Sequence, residues 1–307
     1  MPAPCASRRT LSRLADRPTD FLTGEELTAA QLVGLLDRAA ELKAAPLSSD
    51  KLHSRSIALI FQRPSTRTRI TFESGIVELG GHPVVLKTED TQLSRGESIR
   101  DTAYVLSRNV AAIGIRTGPD ELLQEFARHA TVPVINMLTA GHHPCQALAD
   151  LLTLREAFGD LQGLKLAYVG DGINVARSLA SLGAMAGVEV TVAAPDGYQL
   201  EPVAGAKLTW DPHEAVRDAN AVYTDVWVSL NDAAEEAESR RAALEPYRID
   251  DDLLAEAAPG AIALHCLPAH PGEEITDTVL YGERQRIWDQ AENRRHVQKA
   301  LLELLLG

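Results

Sequence analysis

The chain has 307 residues, of which 45% are hydrophobic and 24% charged, and its formal net charge at pH 7 is −13. This length suits two domains of roughly 150 residues each, and the composition is that of a soluble globular protein. No apolar run approaches the ~20 residues that a membrane span needs. The acidic balance argues against a broad nucleic-acid surface, because binding to a phosphate backbone depends on clustered Lys and Arg. An anionic ligand would therefore need a local basic pocket.

Three cysteines, Cys5, Cys145 and Cys266, lie far apart in the chain. An odd, scattered set is poor material for a disulfide framework and is normal in a reducing compartment, so we expect a cytoplasmic protein. Residues 1–19 contain four arginines, but three prolines interrupt any amphipathic helix there. We therefore expect a flexible N-terminal tail and not a transit peptide.

A helical pattern over residues 25–43 places Leu32, Leu35, Leu36 and Ala39 on one face. Beyond it, short β-rich runs alternate with helical periodicity, which indicates βαβ units around a parallel sheet. Predicted strands of a first series cover residues 57–61, 84–86, 111–115 and 132–136, and those of a second series cover 164–169, 188–193, 221–225 and 261–266.

The two series predict an α/β protein with two domains, each a mainly parallel sheet flanked by helices. We place the first domain at residues 20–147 and the second at 148–290. A long helical pattern over 144–158 bridges them, and the last helix, within 291–307, is free to pack back on the first domain. In open α/β sheets the ligand lies beyond the carboxyl ends of the strands, so the chemistry is sought where each strand stops.

Hydroxyls and arginines directly follow the first predicted strand. Ser65, Thr66, Arg67 and Thr68 open a helix, where backbone N–H groups and the helix dipole favour a phosphate and Arg67 adds a fork-shaped donor. The alternative is an ordinary Ser/Thr helix cap beside solvated arginines. Alternating arginines among hydroxyls at the end of a strand favour the anion site.

A second polar group, His142, His143 and Gln146, lies between another strand and helix. A His donor and a Gln amide on one helical turn can polarise a carbonyl and bind its NH2 group. Zinc is the competing interpretation, although adjacent histidines lack the further spaced Cys/His set that zinc sites usually show. The segment alone would also suit a capped helix start.

Two further strands of the second series end in reactive residue types. Cys266 would need a base and an oxyanion hole to act as a nucleophile, and a structural role fits at least as well, so we predict no covalent catalysis. Asp225 can hold the ammonium group of an amino acid or simply cap a helix.

Gly170 and Gly172 suggest a dinucleotide site, but a third glycine and an acid at the end of the next strand are missing.

Taken in order, the motifs resemble the aspartate/ornithine carbamoyltransferase family, and its ornithine-using members more than its aspartate-using ones. The resemblance runs from about residue 21 to the C-terminus. It is carried by Ser-Thr-Arg-Thr at 65–68, His-Pro-Cys-Gln at 143–146, Asp-Val-Trp at 225–227, His-Cys-Leu-Pro at 265–268 and Asp-Gln-Ala-Glu-Asn-Arg at 289–294.

This resemblance implies transfer of the carbamoyl group of carbamoyl phosphate to the side-chain amine of ornithine, giving citrulline and phosphate, as in arginine metabolism. It implies no metal and no cofactor, and no nucleic-acid or membrane partner. It also implies a homotrimer, or a multiple of trimers, whose active sites are shared between subunits. Carbamoyl phosphate would bind to the domain at 20–147, completed by helix 291–307, and ornithine to the domain at 148–290.

Residue roles follow from the same resemblance. Carbamoyl phosphate would contact Ser65, Thr66, Arg67, Thr68, Gln92, Arg116, His143, Gln146, Cys266, Leu267 and Arg294, with Gln92 donated by a neighbouring subunit. Ornithine would contact Asn174, Asp225, Ser229, Leu230 and Cys266, and the catalytic residues would be Arg67, Arg116, His143, Cys266 and Arg294.

Two positions depart from the family pattern. Ile173 replaces the first of two asparagines, and Leu230 and Asn231 replace Met and Gly after Ser229. The exchange of Met for Leu is mild, whereas Asn in place of Gly removes backbone freedom from a loop that contacts the acceptor. The acceptor could therefore be N-acetylornithine, putrescine or another amine. A non-catalytic relative that binds carbamoyl phosphate or an amino acid is a second alternative, and a nicotinamide oxidoreductase, suggested only by the glycines, is a third.

Overall fold

The computed structural model of the chain describes residues 18–228 and 234–307. They form two parallel β-sheets whose strands are joined by helices, so the predicted α/β class with two flanked sheets is confirmed. Within these ranges no helix is long and apolar enough to cross a membrane. Residues 1–17 of the predicted tail, and the candidates Ser229 and Leu230, lie outside the described residues.

Four parallel strands form the sheet of the first half. Its elements are α1 (Ala29–Ala44), β1 (Ser56–Phe61), α2 (Thr66–Glu78), β2 (His82–Lys87), two 3₁₀ turns (Thr88–Asp90 and Gln92–Arg95), α3 (Ile99–Ser107), β3 (Ala112–Arg116), α4 (Asp120–His129), β4 (Val134–Leu138) and α5 (Pro144–Phe158). The strand order is β2-β1-β3-β4, and β1 is buried at every residue after the first, as a central strand covered on both faces must be.

Five parallel strands form the second sheet, in the order β7-β6-β5-β8-β9. The elements of this half are β5 (Lys165–Val169), α6 (Asn174–Ala186), β6 (Glu189–Ala193), β7 (Ala206–Thr209), α7 (Pro212–Val216), β8 (Ala221–Thr224), α8 (Ala234–Leu244), a 3₁₀ turn (Glu245–Tyr247), α9 (Asp251–Ala255), β9 (Ile262–His265), α10 (Asp277–Leu280) and α11 (Ile287–Leu306). The edge strand β7 is the one strand that the sequence pattern did not predict.

Strand register aligns the chemistry of each half at one edge. Phe61 of β1 pairs with Arg116 of β3, so the loop that enters α2 begins beside Arg116. In the second sheet Thr224 of β8 pairs with His265 of β9, which makes the next residues, Asp225 and Cys266, neighbours. All of these positions lie at the carboxyl ends of parallel strands, where α/β proteins bind their ligands.

Helices α5 and α11 join the two halves. Residues 144–154 of α5 are all buried, as expected for a helix that is enclosed on every side. The C-terminal helix α11 packs against α1, α2 and α5. The apolar core that surrounds these helices includes residues of both sheets. The domain limits 20–147 and 148–290 stay a prediction.

Candidate active site

The start of α2 presents hydroxyls and one uncommitted arginine. Ser65 caps the helix, and its Oγ accepts a hydrogen bond from the backbone N–H of Thr68 at 3.2 Å. Arg69 forms an ion pair with Glu73 at 2.5 Å. Arg67 is half-buried, and its guanidinium forms neither a hydrogen bond nor an ion pair with any residue that the structure describes. Arg67 is therefore available to a ligand at the positive end of the helix.

Two further arginines converge on the hydroxyl of Thr68. Arg294 of α11 donates to Thr68 Oγ1 at 2.8 Å and Arg116 donates to the same atom at 3.4 Å. The Nε atoms of both arginines are buried and have no hydrogen-bond partner. Among residues 18–228 and 234–307, no carboxylate forms an ion pair with Arg67, Arg116 or Arg294. Three guanidinium groups therefore lie close together, and none of them is paired with a carboxylate in the described part of the chain.

The pKa values of these arginines reflect that crowding. Burial, together with the positive charges of Arg294 and Arg67, lowers the pKa of Arg116 to about 10. Burial likewise lowers the pKa values of Arg67 and Arg294. Bringing like charges together away from water costs free energy, and a bound anion offsets this cost. The arrangement therefore favours a ligand with more than one negative charge, such as a phosphate.

His143 lies directly before α5 and is neutral. Its backbone N–H donates to Ser178 Oγ at 2.9 Å, and its side chain is buried. Burial, reinforced by Arg294, Arg116 and Arg67, holds the pKa of His143 well below its usual value. Its Nδ1 has no hydrogen-bond partner. A neutral imidazole beside three guanidinium groups can donate to a carbonyl oxygen without adding another positive charge.

Gln146 lies one turn into α5 and completes the basic pocket. Its Oε1 accepts a hydrogen bond from Arg294 NH1 at 3.0 Å, and its Nε2 donates to Asp150 Oδ1 at 2.8 Å. An amide oxygen has two lone pairs, so Oε1 retains one for the N–H of a ligand. The structure therefore brings Ser65, Thr68, Arg116, His143, Gln146 and Arg294 together by direct contact or shared partners.

Asp225 and Cys266 meet at the carboxyl edge of the second sheet. The Cys266 thiol donates to Asp225 Oδ1 at 2.7 Å. Burial, with the neighbouring Asp225 carboxylate, raises the pKa of Cys266 well above its usual value, so the sulfur carries its proton at neutral pH. Asp225 is 9% exposed and its carboxylate is near Arg67. This carboxylate is placed to bind a cationic group next to the basic pocket.

The remaining candidates are distributed around this centre. Asn174 starts α6 and donates from Nδ2 to the backbone oxygen of Thr139 at 2.7 Å, which ties the second half to the first. Leu267 follows Cys266 with φ of 61°, and its N–H donates to His265 Nδ1 at 2.8 Å. Gln92 lies exposed on a 3₁₀ turn. No hydrogen bond joins its side chain to another candidate in the described part of the chain.

A cleft of about 420 Å³ reaches Val226 and Trp227, the two residues that follow Asp225, and the ion-paired Asp171 and Arg240 also line it. Ile173, Tyr198, Val226 and Trp227 contribute to its lining. The side chain of Ile173, which stands in place of a family asparagine, is 39% exposed here. Ile173 in place of asparagine therefore gives this cleft an apolar wall.

The glycines that suggested a dinucleotide site have a packing role. A Cβ on Gly172 would lie 2.3 Å from the backbone N of Leu200, and Gly170 has φ of +131°. Only glycine permits this close approach and this conformation. The two glycines therefore need no nucleotide to explain them.

Two groups of side chains have the composition of a metal site. In the first, Asp225, His265 and Cys266, the sulfur is protonated and both ring nitrogens of His265 are engaged, by Glu274 at 3.0 Å and by the N–H of Leu267. The second consists of His270, Glu273 and Glu274, and there Glu273 already pairs with Arg241 at 3.0 Å. The first group is committed to hydrogen bonds, whereas in the second His270 Nδ1, Glu273 Oε2 and Glu274 Oε2 are buried and form no hydrogen bond with the described residues. The absence of a catalytic metal stays a prediction.

Three residues of the site region escaped sequence reasoning. Asp150, Tyr223 and Gln290 are buried together behind Gln146. The one available signal was a carboxylate four residues after Gln146 in an otherwise apolar helix. Charged residues are almost never fully buried unless partnered, so this Asp should have marked a polar network.

Comparison with known proteins decides the family. The model for the "Aspartate/ornithine carbamoyltransferase, carbamoyl-P binding domain" matches residues 19–156, and that for the "Aspartate/ornithine carbamoyltransferase, Asp/Orn binding domain" matches residues 162–305. The chain belongs to the aspartate/ornithine carbamoyltransferase family. The resemblance inferred from the motifs is confirmed, and with it the enzyme class, a carbamoyltransferase.

Members of the aspartate/ornithine carbamoyltransferase family match the chain along nearly its whole length. An ornithine carbamoyltransferase of Acidothermus cellulolyticus is 53% identical over 304 residues, covering 93% of this chain and 96% of that protein. The solved ornithine carbamoyltransferase of Pyrococcus furiosus is 44% identical with a TM-score of 0.90, covering 95% of this chain and 98% of that one. A solved variant of N-acetyl-L-ornithine transcarbamylase is 31% identical with a TM-score of 0.83, covering 93% and 99%.

Proposed function

We propose that this protein transfers the carbamoyl group of carbamoyl phosphate to the side-chain amine of ornithine, releasing citrulline and phosphate. One observation carries the proposal: Arg116 and Arg294 meet at Thr68 with Arg67 nearby, none of them forms an ion pair with a carboxylate among the described residues, and a neutral His143 lies next to them. Such a pocket fits a phosphorylated carbonyl compound, which combines a multiple negative charge with an uncharged carbonyl oxygen. Relatives named ornithine carbamoyltransferase support this choice.

The mechanism relies on positioning and on fixed hydrogen-bond donors. Ser65, Thr66 and the backbone N–H groups at the start of α2 hold the phosphate together with Arg67. His143 and Arg116 donate to the carbonyl oxygen, where negative charge grows as the amine attacks. The new C–N bond forms while the C–O bond to phosphate breaks. The departing phosphate takes up the proton that the amine loses, and no covalent enzyme intermediate is needed.

The acceptor binds on the second sheet. Asp225 holds the α-ammonium group and Asn174 holds the α-carboxylate, with Ser229 and Leu230 contributing by family resemblance. The Cys266 thiol and the backbone of Leu267 lie where the acceptor's amine meets the carbamoyl carbon. Since Cys266 and Asp225 share a hydrogen bond of 2.7 Å, a change at either residue should affect the acceptor more than the phosphate.

A second acceptor is favoured by one observation. The apolar side chain of Ile173 faces the cleft that reaches Val226, where the family usually has an asparagine. An acyl group on the α-nitrogen of the acceptor would contact such a wall better than a bare ammonium group would. N-acetylornithine is therefore the leading alternative, and a relative that uses this name shares the fold.

Assembly, location and domain roles complete the proposal. The protein forms a homotrimer, or a multiple of trimers, in which the exposed Gln92 loop reaches the active site of a neighbouring subunit. It works in the cytoplasm, in arginine biosynthesis. Residues 20–147 with helix 291–307 form the domain that binds carbamoyl phosphate, and residues 148–290 form the domain that binds the acceptor. The two matched family regions, 19–156 and 162–305, support this division.

An acceptor screen tests the proposed function. The purified protein is mixed with carbamoyl phosphate and, in parallel, with ornithine, N-acetylornithine, putrescine or aspartate, and both phosphate and the carbamoylated product are measured. Ornithine should give the highest kcat/KM, with equimolar citrulline and phosphate. A higher value for N-acetylornithine would replace the proposed acceptor. Binding of carbamoyl phosphate without turnover of any amine would leave a non-catalytic relative as the explanation.

A further inference from the structure

A buried carboxylate lies behind the carbamoyl side of the active site. Asp150 on α5 is 0% exposed and accepts three hydrogen bonds at a single oxygen, Oδ1. The donors are Gln146 Nε2 at 2.8 Å, Gln290 Nε2 at 2.7 Å and the hydroxyl of Tyr223 at 3.3 Å. They belong to α5, α11 and β8, so one side chain links the three elements that surround the active site.

A carboxylate in this place fixes the orientation of both amides. Because an ionised carboxylate accepts hydrogen bonds but donates none, Gln146 and Gln290 must turn their NH2 groups toward it. Their oxygens then point away from Asp150. Gln146 Oε1 faces Arg294 at 3.0 Å, and Gln290 Oε1 accepts from the backbone N–H of His265 at 3.0 Å. The first contact orients the ligand side of the pocket, and the second holds the strand end that carries Cys266.

We propose that Asp150 is a positioning residue for carbamoyl recognition: it holds the Gln146 amide with its oxygen toward the active site, where that oxygen accepts from the NH2 group of the carbamoyl moiety. The inference rests on the proposed function. Without the carboxylate, only the hydrogen bond from Arg294 opposes rotation of the Gln146 amide, and a rotated amide presents its NH2 group to the NH2 group of the ligand. The enzyme would then still bind phosphate, but it would lose its preference for a ligand that carries a carbamoyl group.

Asparagine at position 150 cannot satisfy the network in either orientation. With its oxygen toward the two glutamines, its own NH2 group takes the place of Oδ2, which has no hydrogen-bond partner among the described residues. With its NH2 group toward them, it forces both amides to turn. A buried donor without an acceptor is unfavourable, and this favours the second orientation, in which Gln146 presents its NH2 group to the ligand. Asp150→Asn should therefore weaken binding of the carbamoyl moiety by about tenfold.

The decisive measurement compares two small probes by calorimetry. Phosphonoacetamide, a hydrolysis-resistant compound that retains both phosphonate and amide, reports the whole donor site, and inorganic phosphate reports only the anion cradle. Asp150→Asn should weaken phosphonoacetamide about tenfold and change phosphate less than twofold. Equal weakening of both probes would indicate a general structural role and overturn the proposal. Wild-type protein that binds neither probe would instead refute the proposed function.

Thr153→Val provides a matched control on the same helix. The Thr153 hydroxyl accepts from Asn293 Nδ2 at 3.0 Å, so it is a buried polar link between α5 and α11 like that of Asp150. It contacts neither Gln146 nor Gln290. Loss of this link should lower thermal stability and leave the affinities for both probes unchanged. A change in phosphonoacetamide affinity as large as that of Asp150→Asn would show that any polar loss between these helices has the same effect.

A double-mutant cycle tests whether Asp150 acts through Gln146. In a Gln146→Ala background, Asp150→Asn should have little further effect on phosphonoacetamide binding, because the amide that it orients is absent. Independent, multiplicative effects would place the role of Asp150 elsewhere and contradict the proposal.

Tyr223→Phe supplies a second variant should Asp150→Asn fail to fold. Burial raises the pKa of Asp150 to about 7, while hydrogen bonds from Gln290, Gln146 and Tyr223 lower it. The other titratable groups that face it are Arg294, Tyr168, Tyr223 and Cys266. Burial raises the pKa values of both tyrosines and of the thiol, and lowers that of Arg294 from its high usual value. Near neutral pH this leaves Asp150 as the group of the set that titrates.

The expected sign follows from the lost hydrogen bond. Removing the Tyr223 hydroxyl takes a donor from the carboxylate and raises the pKa of Asp150. The ratio of phosphonoacetamide to phosphate affinity should therefore fall at a higher pH in Tyr223→Phe than in wild type. The ratio is used because both probes ionise over the same pH range. An unchanged pH dependence would count against Asp150 as the orienting group.

Discussion

Cys266 shows how surroundings decide the chemistry of a residue. Its thiol is buried beside Asp225, so its pKa lies well above the usual value and a thiolate is unavailable at neutral pH. The same proximity makes the S–H group a hydrogen-bond donor to the carboxylate at 2.7 Å. We therefore expect Cys266 to orient Asp225 and not to act as a nucleophile.

Two substitutions of Cys266 separate these roles. Serine keeps a donor to Asp225, so Cys266→Ser should keep activity within about tenfold of wild type. Alanine removes one of the two donors to Asp225 Oδ1 and leaves only the backbone N–H of Val226 at 2.7 Å, so Cys266→Ala should lower kcat/KM for the acceptor by roughly tenfold. Steady-state kinetics with the acceptor varied measures both. A folded but inactive Cys266→Ser protein would show that the sulfur itself takes part in the reaction.

Residues that stand in a sequence motif could be predicted as site candidates, whereas a residue whose role depends on a hydrogen-bond network could not. Arg67, His143 and Arg294 stand in short motifs, and the structure brings them near one another, while their roles stay predictions. Asp150 belongs to no motif that sequence reasoning used. Its role depends on Gln290, which lies 140 positions away along the chain and meets it only after folding.

At the scale of elements, the start of α2 combines a helix cap with a ligand site. Ser65 satisfies the N–H of Thr68, and the remaining free N–H groups of the first turn point toward the pocket. The helix dipole adds partial positive charge there. Capping and phosphate binding thus depend on the same few atoms.

Ser65→Ala should separate capping from binding when it is compared with Thr28→Ala. Both side chains accept from a backbone N–H at 3.2 Å at the start of a helix, Ser65 in α2 and Thr28 in α1. Each change should lower the free energy of unfolding by about 1 kcal/mol. Only Ser65→Ala should raise KM for carbamoyl phosphate, by roughly tenfold, because its hydroxyl also contacts the charged phosphate. Equal KM values in the two variants would remove Ser65 from the binding site.

The limits of helices and strands were predicted best where the local sequence signals are strong. Pro144 and the apolar run after it predicted α5 with the observed limits. The capping box of Thr28 and Gln31 starts α1 at Ala29, four residues later than the hydrophobic pattern suggested. Strand β7 was missed because it is a short edge strand whose Lys207 and Leu208 are exposed, so no apolar run marks it. Local patterns predict covered strands better than edge strands.

For the molecule as a whole, the active site lies between two sheets that turn their carboxyl edges toward it. Arg116 and Arg67 come from the first half, and Asp225 and Cys266 come from the second. Helix α11 returns from the second half to bring Arg294 to Thr68. Gln92 is exposed, and in the described part of the chain its side chain forms no hydrogen bond with another candidate, which suits the proposal that it serves a neighbouring subunit.

Subunit mixing tests the shared site. Arg67→Ala and Gln92→Ala should each be nearly inactive as pure proteins, whereas Arg69→Ala, whose guanidinium pairs with Glu73, should stay active. When the two inactive chains are co-expressed with different tags, a mixed trimer contains sites whose arginine comes from one chain and whose Gln92 comes from its neighbour. At equal expression about a quarter of the sites would be complete, so activity should recover to about a quarter of the wild-type value.

A second mixture of variants serves as the control. Arg67→Ala mixed with Arg294→Ala should recover no activity, because Arg294 donates to Thr68 and lies near Arg67 within one chain, so every site lacks one of the two arginines. Recovery in the first mixture and none in the second would establish that Gln92 acts across the subunit boundary. Equal behaviour of the two mixtures would mean that each chain builds its active site alone, and the proposed sharing between subunits would be wrong.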